Sequence, residues 1–307
     1  MGPEDRSTQV TEELSLGTIE SFVSDPGALM AVDLAAVTHP GYVRANNEDH
    51  YLVVRFGRSL QNVCTNLEPS LLASSYDLTG YGLLVADGVG GMAAGEVASQ
   101  KALAKLVELV VDTPDWILGF QEKEHSTLIQ QRMTARFLQI DEALKERADH
   151  DVALSGMGTT LTAAAILGND MVIGHIGDSR AYLLRNDILT QLTKDHTVAQ
   201  ELLDAGISSA DPRYRSMRHV LTAALGSLGS RIQPEVQQLK LNPHDQLLLC
   251  TDGLTQMVDD RTIASVLRNS QTADEVCKNL ITLALAAGGL DNVTVVLARL
   301  ALRGAFG

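Results

Sequence analysis

Short apolar runs joined by two-residue turn signals recur along this chain, and they restrict its fold more than any other feature. Gly168 and the turn signal Asn169-Asp170 separate TTLTAAAIL from MVIGHIG, and Asn186-Asp187 separates AYLLR from ILTQLT. Asn and Asp tolerate the left-handed backbone of a tight turn, so each pair of runs is expected to form a β-hairpin. A tight turn joins antiparallel neighbours, because a parallel pair needs a long crossover. The later half of the chain therefore predicts antiparallel sheet.

Helices are expected to come as pairs rather than to alternate with strands. Two stretches separated by Pro114 have apolar residues at three- and four-residue steps: Leu103, Leu106, Val107, Val110 and Val111, then Ile129, Met133, Phe137, Ile140 and Leu144. A short helix is expected over 197–206, where Gly206 ends it. Further strands are predicted for MAVDLAAVT, DHYLVVRF, YGLLVAD, QLLLCTDG and VTVVLARL. This arrangement predicts an α+β protein with antiparallel sheets and helices packed outside them.

Acidic residues stand where the predicted strands meet loops, and most have glycine beside them. The residues in this setting are Glu48, Asp49, Asp87, Asp178, Asp252 and Asp291. One Asp-Gly after a strand is ordinarily a turn, but carboxylates gathered in one place repel each other unless a proton or cation balances them. Mg²⁺ and Mn²⁺ prefer such oxygen ligands. The glycines after Asp87 also let a backbone carbonyl, that of Gly88, approach an ion. The recurrence therefore predicts a divalent-metal site.

Composition excludes several classes of protein. The formal net charge is −14, which argues against a nucleic-acid partner, since binding a phosphate backbone needs a surplus of Lys and Arg. Cys64, Cys250 and Cys277 lack the spacing of a disulfide scaffold or a zinc site. The polar, acidic first residues do not form a signal peptide, and no apolar run reaches the roughly 18 residues of a membrane span. We expect a cytoplasmic protein, with a fragment of a membrane-tethered parent as the alternative.

Seven segments in a fixed order resemble one known family, the bacterial branch of the metal-dependent protein phosphatases (the PPM family, or type 2C serine/threonine phosphatases). They are RANNED (44–49), VADGVGGMAAGEVAS (85–99), GMGTTLTAA (156–164), IGDSRAYLLR (176–185), LTKDHT (192–197), CTDGL (250–254) and GGLDNVTVV (288–296). The resemblance implies a four-layer α-β-β-α sandwich over residues 29–303. Residues 1–28 have few large apolar side chains and are expected to be an N-terminal extension, and Gly, Asn, Ser and Pro in about 57–80 predict a loop-like insertion. The segment about 196–225 resembles the family's flap over the site.

The resemblance also implies a role for each metal ligand. Asp87 would bridge two ions, with the Gly88 carbonyl on one of them, and Asp252 and Asp291 would bind the first ion. The ions would be Mn²⁺ or Mg²⁺.

Four more roles follow from the resemblance. Glu48 and Asp49 would hold waters around the second ion, and Asp178 would help Asp252 to bind a third. Arg44 would bind the substrate phosphate, because its planar guanidinium can meet two phosphate oxygens at once. Arg44, Asp87 and Asp252 are the residues expected to be catalytic, with a metal-bridging water attacking phosphorus in line.

One position departs from the family pattern. Many eukaryotic members have a histidine after the DG pair, proposed to protonate the leaving group, and bacterial relatives usually have methionine. This chain has Val89, which cannot move a proton. A metal-bound water or His196 could substitute, and a structural or flap role is the alternative for His196. His39 and His175 are expected to be packed or surface histidines.

The implied function is hydrolysis of phosphoserine and phosphothreonine on proteins, opposing bacterial serine/threonine kinases in signal transduction. Two alternatives stay open. One is a phosphatase of another phosphorylated regulator, of the anti-sigma-antagonist type. The other is a catalytically inactive binding module, although such a module is expected to have lost metal acids that this chain keeps. A cysteine-based phosphatase is disfavoured because no cysteine lies in a CX₅R loop. We expect a monomer.

Overall fold

The computed structural model describes residues 30–60, 64, 68, 76–90, 93–113, 123–227 and 232–302. The predicted extension 1–28 lies outside the described residues, as does most of the predicted insertion 57–80. Within the described part, no helix has the length and apolar character that crossing a bilayer requires.

Among the described residues, eleven strands form two antiparallel sheets. In chain order they are β1 Met30–His39, β2 Asp49–Leu60, β3 Tyr76–Val89, β4 Gly158–Thr159, β5 Leu161–Leu167, β6 Asp170–Ile176, β7 Arg180–Arg185, β8 Ile188–Gln191, β9 Glu235–Lys240, β10 Gln246–Cys250 and β11 Val293–Leu302. The first sheet has the order β1-β11-β10-β7-β8, and the second has the order β2-β3-β5-β6-β9, with β4 paired to the end of β3.

Seven α-helices are present in the same described part of the chain. They are α1 Ala93–Asp112, α2 Lys123–His150, α3 Val198–Asp204, α4 Pro212–Ser216, α5 Asp252–Thr255, α6 Asp260–Asn269 and α7 Ala273–Ala286. The two long helices predicted from apolar spacing are therefore present as α1 and α2. Of the predicted apolar face, Val111 is 64% exposed, because it lies one residue before the end of α1, beyond the part that contacts the sheet.

Alternation of side chains along the strands produces three apolar layers. On β3, Leu83 and Val85 point into the core between the two sheets, whereas Leu84 and Ala86 contact α1 and α2 on the other face. On β1, Leu34 belongs to the core between the sheets. Its neighbour on the strand, Ala35, packs on the side of α6 and α7. Period-two alternation with both faces buried is what a sheet inside a sandwich requires. The predicted α-β-β-α layering is confirmed.

Two local predictions need correction, and one strand has no counterpart among the predictions. The turn between β5 and β6 is Gly168-Asn169, since Leu167 already pairs with Asp170, and Gly168 takes the positive φ of +62°. The loop predicted over 57–80 is strand at both ends, because the β2–β3 hairpin continues to the pair Leu60 and Tyr76. Strand β9 was not predicted at all. Its sequence, EVQQLK, is polar and half-buried at the edge of a sheet, so it carries little apolar signal.

Candidate metal centre and active site

Three carboxylates from separate strand ends meet at one edge of the sandwich. Asp87 ends the regular part of β3, Asp178 follows β6, and Asp252 follows β10 at the start of α5. One oxygen of each carboxylate lies within 4.8 Å of one oxygen of each of the others. Strands from both sheets therefore deliver acids to a common point, and this spacing fits oxygen ligands of a divalent ion.

The backbone around Asp87 is held by two threonines, Thr159 at the end of β4 and Thr160 just before β5. The Asp87 amide donates to Thr160 Oγ1 at 2.9 Å, and the Thr160 amide donates to the Asp87 carbonyl at the same distance. The Thr159 hydroxyl donates to that carbonyl at 2.8 Å. Asp87 is thus placed by a strand end with little freedom, as a ligand of a rigid site requires.

Glycine is required at position 88 by the close approach of two backbones. A Cβ on Gly88 would overlap the carbonyl oxygen of Gly95 in α1, and one on Gly95 would overlap the Glu48 carboxylate. The Gly88 amide donates to the Glu48 carbonyl at 3.2 Å. Gly88 and Gly95 therefore allow β3, α1 and the Glu48 loop to approach closely, and Gly88 lines the cleft with Asp87.

Asp49 lies beneath the cluster, only 3% exposed. Its Oδ2 accepts from the Thr251 hydroxyl at 2.7 Å and the Thr294 hydroxyl at 2.8 Å. Its Oδ1 has no hydrogen-bond partner. Burial raises the pKa of Asp49 to about 7, with Asp252 and Asp291 adding to the rise and the two threonine hydroxyls opposing it. Sequence reasoning did not single out these threonines, although both stand beside a predicted acid-bearing strand end.

The other clustered acids are perturbed in the same direction. Burial, followed by the neighbouring carboxylates, raises the pKa of Asp87 and Asp178 well above the ordinary range of an aspartate. Burial and Asp291 raise the pKa of Asp252 to about 6. The Gln256 amide donates to Asp252 Oδ2, while Oδ1 of Asp252 has no partner. Partnerless buried oxygens on mutually repelling carboxylates are the donor set that a hard divalent cation fits.

Arg44 and Asp291 face each other at the mouth of the site. Arg44 Nη2 lies 2.6 Å from Asp291 Oδ2, and the Arg44 side chain is 57% exposed. Asn292 holds together the loops behind this pair. Its side-chain Nδ2 donates to the backbone carbonyls of Pro40 and Asn46, and its Oδ1 accepts from the backbone amide of Glu48. The Asp-Asn pair seen in the sequence therefore joins the loop of Arg44 to the start of β11.

Two histidines are packed together behind the cleft, and a third lines it. His196 stacks on the buried His175, its Nδ1 accepts from the Gly177 amide, and its Nε2 lies 3.7 Å from Glu235 Oε1. His196 is absent from the residues that line the cleft. Its contacts fit the structural or flap role that the sequence left open as the alternative to an acid role. His219, which sequence reasoning missed, lines the cleft together with Asp252 and Gln256.

The segment predicted as a flap carries α3 and α4 and borders the cleft. Near its two ends, Thr197 and Leu221 pair through an isolated antiparallel bridge. Leu225 forms a second such bridge with Thr159, which ends β4. His219 and Leu221 face the cleft, and Arg218 lines a smaller adjoining cavity with Asp178 and Asp252. A mobile role for residues 196–225 stays a prediction.

Every acid predicted for the site lies at this edge. Asp87, Asp178, Asp252, Asp291 and Glu48 line the cleft. Arg44 and Gly88 line it as well, and Asp49 lies behind it beneath Thr251 and Thr294.

Comparison with known proteins agrees with this geometry. A family model described as protein phosphatase 2C matches residues 58–293. The serine/threonine phosphatase stp of Listeria innocua is 39% identical over 216 residues, which are 70% of this chain and 82% of that protein. The serine/threonine protein phosphatase PstP of Mycobacterium tuberculosis is 38% identical over 265 residues, which are 86% of this chain, and the chain spans 44% of that protein's length.

Solved structures give the same result. The catalytic domain of the serine threonine protein phosphatase PstP in complex with two manganese ions is similar with a TM-score of 0.68 and 36% identity. That match covers 89% of this chain and 99% of the other. Serine/threonine phosphatase Stp1 from Staphylococcus aureus is similar with a TM-score of 0.69 and 27% identity, over 92% of this chain and 99% of the other.

Proposed function

Because the chain belongs to the protein phosphatase 2C family and is a metal-dependent serine/threonine phosphatase, we propose that the cleft beside Arg44 hydrolyses phosphoserine and phosphothreonine on proteins. The observation that carries this proposal is the group of Asp87, Asp178 and Asp252, in which one carboxylate oxygen of each residue lies within 4.8 Å of one oxygen of each of the others. Cations held there would draw an anionic phosphoryl group into an acidic site that otherwise repels it.

The metal ligands are assigned as follows. Asp87, the Gly88 carbonyl, Asp252 and Asp291 would be the direct ligands of two divalent ions. Glu48 and Asp49 would hold the second ion through waters, and Asp178 would help Asp252 to hold a third. When bound, Mn²⁺ or Mg²⁺ would neutralise the acids, polarise the phosphoryl group and activate water for in-line displacement.

The protein's own contribution is placement. Asp87 and Asp252 sit on strand ends, and Thr251 and Thr294 hold one oxygen of Asp49 so that the other stays available. Arg44 reaches over the cleft from a loop that Asn292 ties to β11. The Arg44 guanidinium has donors beyond the one that meets Asp291, and these would bind phosphate oxygens. Positioning and charge neutralisation carry most of the catalysis in phosphoryl transfer.

The biological setting is also part of the proposal. The substrates would be phosphorylated proteins, including serine/threonine kinases, in cytoplasmic signal transduction, and the protein would act as a monomer. Relatives described as serine/threonine phosphatases support the substrate class. A sedimentation mass near 32.9 kDa would agree with a monomer, and a mass of twice that value would contradict it.

Phosphate release from a phosphothreonine peptide tests the function directly. We expect release with Mn²⁺ or Mg²⁺, loss of release with excess chelator, and recovery when metal is restored. The acids lose their neutralising cations in chelator and then repel the phosphate. Release that persists undiminished in chelator would refute metal dependence.

Arg44→Lys is expected to raise KM for the phosphopeptide about tenfold to a hundredfold, because hydrogen bonds between charged groups are worth about 1.5–3 kcal/mol and lysine cannot form the two-pronged contact. The change keeps the positive charge and therefore isolates the geometry of the guanidinium. Steady-state kinetics with saturating Mn²⁺ measure it. Arg261→Lys, on the exposed side of α6, is the matched control and should leave KM at the wild-type value. An Arg44→Lys enzyme with an unchanged KM would remove Arg44 from the phosphate site.

A further inference from the structure

Three large apolar side chains beside the cleft are exposed. Tyr42 is 62% exposed, Val43 is 64% exposed and Leu290 is 53% exposed. We call these three residues the apolar rim. Scattered exposed apolar residues need no explanation, but several of them on two touching loops beside a binding cleft are a mark of an interaction site.

The rim consists of two loops that contact each other. The Tyr42 amide donates to the Gly289 carbonyl at 2.7 Å, and a Cβ built on Gly289 would lie 3.0 Å from the Tyr42 ring. Two residues after Tyr42 and Gly289, the ion pair of Arg44 and Asp291 joins the same two loops. Tyr42 and Val43 therefore directly precede Arg44 on one loop, and Leu290 directly precedes Asp291 on the other.

The rim is continuous with the cleft. Leu290 lines the cleft together with Arg44 and Asp291, and Leu221 lines the same cleft. Tyr42 is two residues from Arg44, so their Cα atoms are at most about 7 Å apart. Side chains two residues apart on an extended peptide are separated by a similar distance, about 6.6–6.8 Å. A peptide whose phosphate reaches Arg44 therefore brings its near neighbours to the rim.

We propose that the apolar rim binds an apolar side chain of the substrate, one or two residues from the phosphorylated serine or threonine. This inference rests on the proposed function of the cleft. Three partly exposed side chains fall well short of the roughly 800 Å² per partner of a stable protein interface, so they suit one or two peptide side chains better than a second copy of the chain. The formal net charge of the protein is −14, so it repels an anionic phosphopeptide at long range. An apolar contact adds affinity that does not depend on charge.

The test compares two phosphothreonine peptides that differ only in the residues flanking the phosphothreonine. One carries leucine at the two positions on each side, and the other carries serine there, so their charges are identical. With Mn²⁺ present, we expect wild-type kcat/KM to be about tenfold higher for the leucine peptide. Partial burial of a leucine side chain strengthens binding by about that factor.

Substitutions in the rim should abolish this preference. In Tyr42→Ser and Leu290→Ser, the ratio of the two kcat/KM values should fall toward one. The ratio cancels any change that affects both peptides alike, including an effect of Leu290→Ser on the neighbouring Asp291. Ile188→Ser is the matched control, because Ile188 is 67% exposed and follows the turn at the far end of β7 from Asp178. It should keep the wild-type ratio.

Several outcomes would overturn the proposal. Equal kcat/KM for the two peptides in wild type, or a preference that survives both rim substitutions, would refute the rim as a docking surface while leaving the phosphatase function in place. Release from neither peptide would refute the proposed function and this inference with it. A wild-type dimer that Tyr42→Ser converts to a monomer would show that a second copy covers the rim.

Discussion

Asp252→Asn is expected to reduce phosphate release from a phosphothreonine peptide by about three orders of magnitude, since metal ions supply several kcal/mol of charge stabilisation and each 1.36 kcal/mol is a factor of ten. The substitution keeps the shape of the side chain and removes its charge. It therefore removes one ligand charge from the acidic cluster while leaving the fold intact. The measurement is kcat/KM with saturating Mn²⁺.

A folding readout separates loss of a ligand from loss of structure. In chelator at pH 8, Asp252→Asn should unfold at the same temperature as wild type or higher, because one of the mutually repelling acids has become neutral. Asp187→Asn is the matched control, since its side chain is 85% exposed in the β7–β8 turn. That variant should keep wild-type activity. Near-normal turnover by a folded Asp252→Asn enzyme would remove Asp252 from the metal centre.

The second large effect concerns stability without metal. Burial raises the pKa of Asp49 to about 7, above the ordinary value of about 3.9 for an unfolded aspartate. A carboxyl whose pKa is higher in the folded state binds its proton more tightly there, so its contribution to stability is present at low pH. That contribution is lost as pH rises through the folded pKa. Metal-free protein should therefore lose the contribution of Asp49 between about pH 4 and pH 8.

Asp49→Asn isolates that contribution. Its amide oxygen can still accept from Thr251 and Thr294, and its neutral amide group takes the place of the partnerless oxygen. With chelator present, the wild-type unfolding temperature minus that of Asp49→Asn should fall by several degrees as pH rises from 5 to 8. The pKa difference corresponds to roughly 4 kcal/mol at most, and 1 kcal/mol is about 2 °C in a chain of this size.

The comparison uses the difference between the two unfolding temperatures because a buried histidine changes stability with pH in the opposite direction to Asp49. Burial lowers the pKa of His175 to about 3. A histidine whose folded pKa is depressed destabilises the protein as pH falls below its ordinary value. Both proteins carry His175, so its effect cancels in the difference. A difference that stays constant from pH 5 to 8 would contradict the raised pKa of Asp49. Saturating Mn²⁺ should add most stability at high pH, where Asp49 is ionised.

The family and the layered fold were predictable from the sequence, and the comparisons confirm both. Apolar period and turn chemistry are local properties, so they identified α1, α2 and the β7–β8 hairpin directly. The acids were identifiable for a different reason, namely that a charged residue next to a buried strand end needs an explanation wherever it occurs. Strand β9 escaped because an edge strand that is half-buried has no distinctive composition.

What the sequence by itself determined was which residue types stand at the strand ends and that a divalent ion is needed to reconcile them. Only the tertiary structure decided their partners. In the folded protein, Asp49 accepts hydrogen bonds from Thr251 and Thr294, and Arg44 pairs with Asp291. His196 stacks on His175, whereas His219 lines the cleft. Those contacts join residues far apart along the chain, up to 247 positions in the case of Arg44 and Asp291. They depend on the register of the two sheets and on how the sheets stack, which no local pattern encodes.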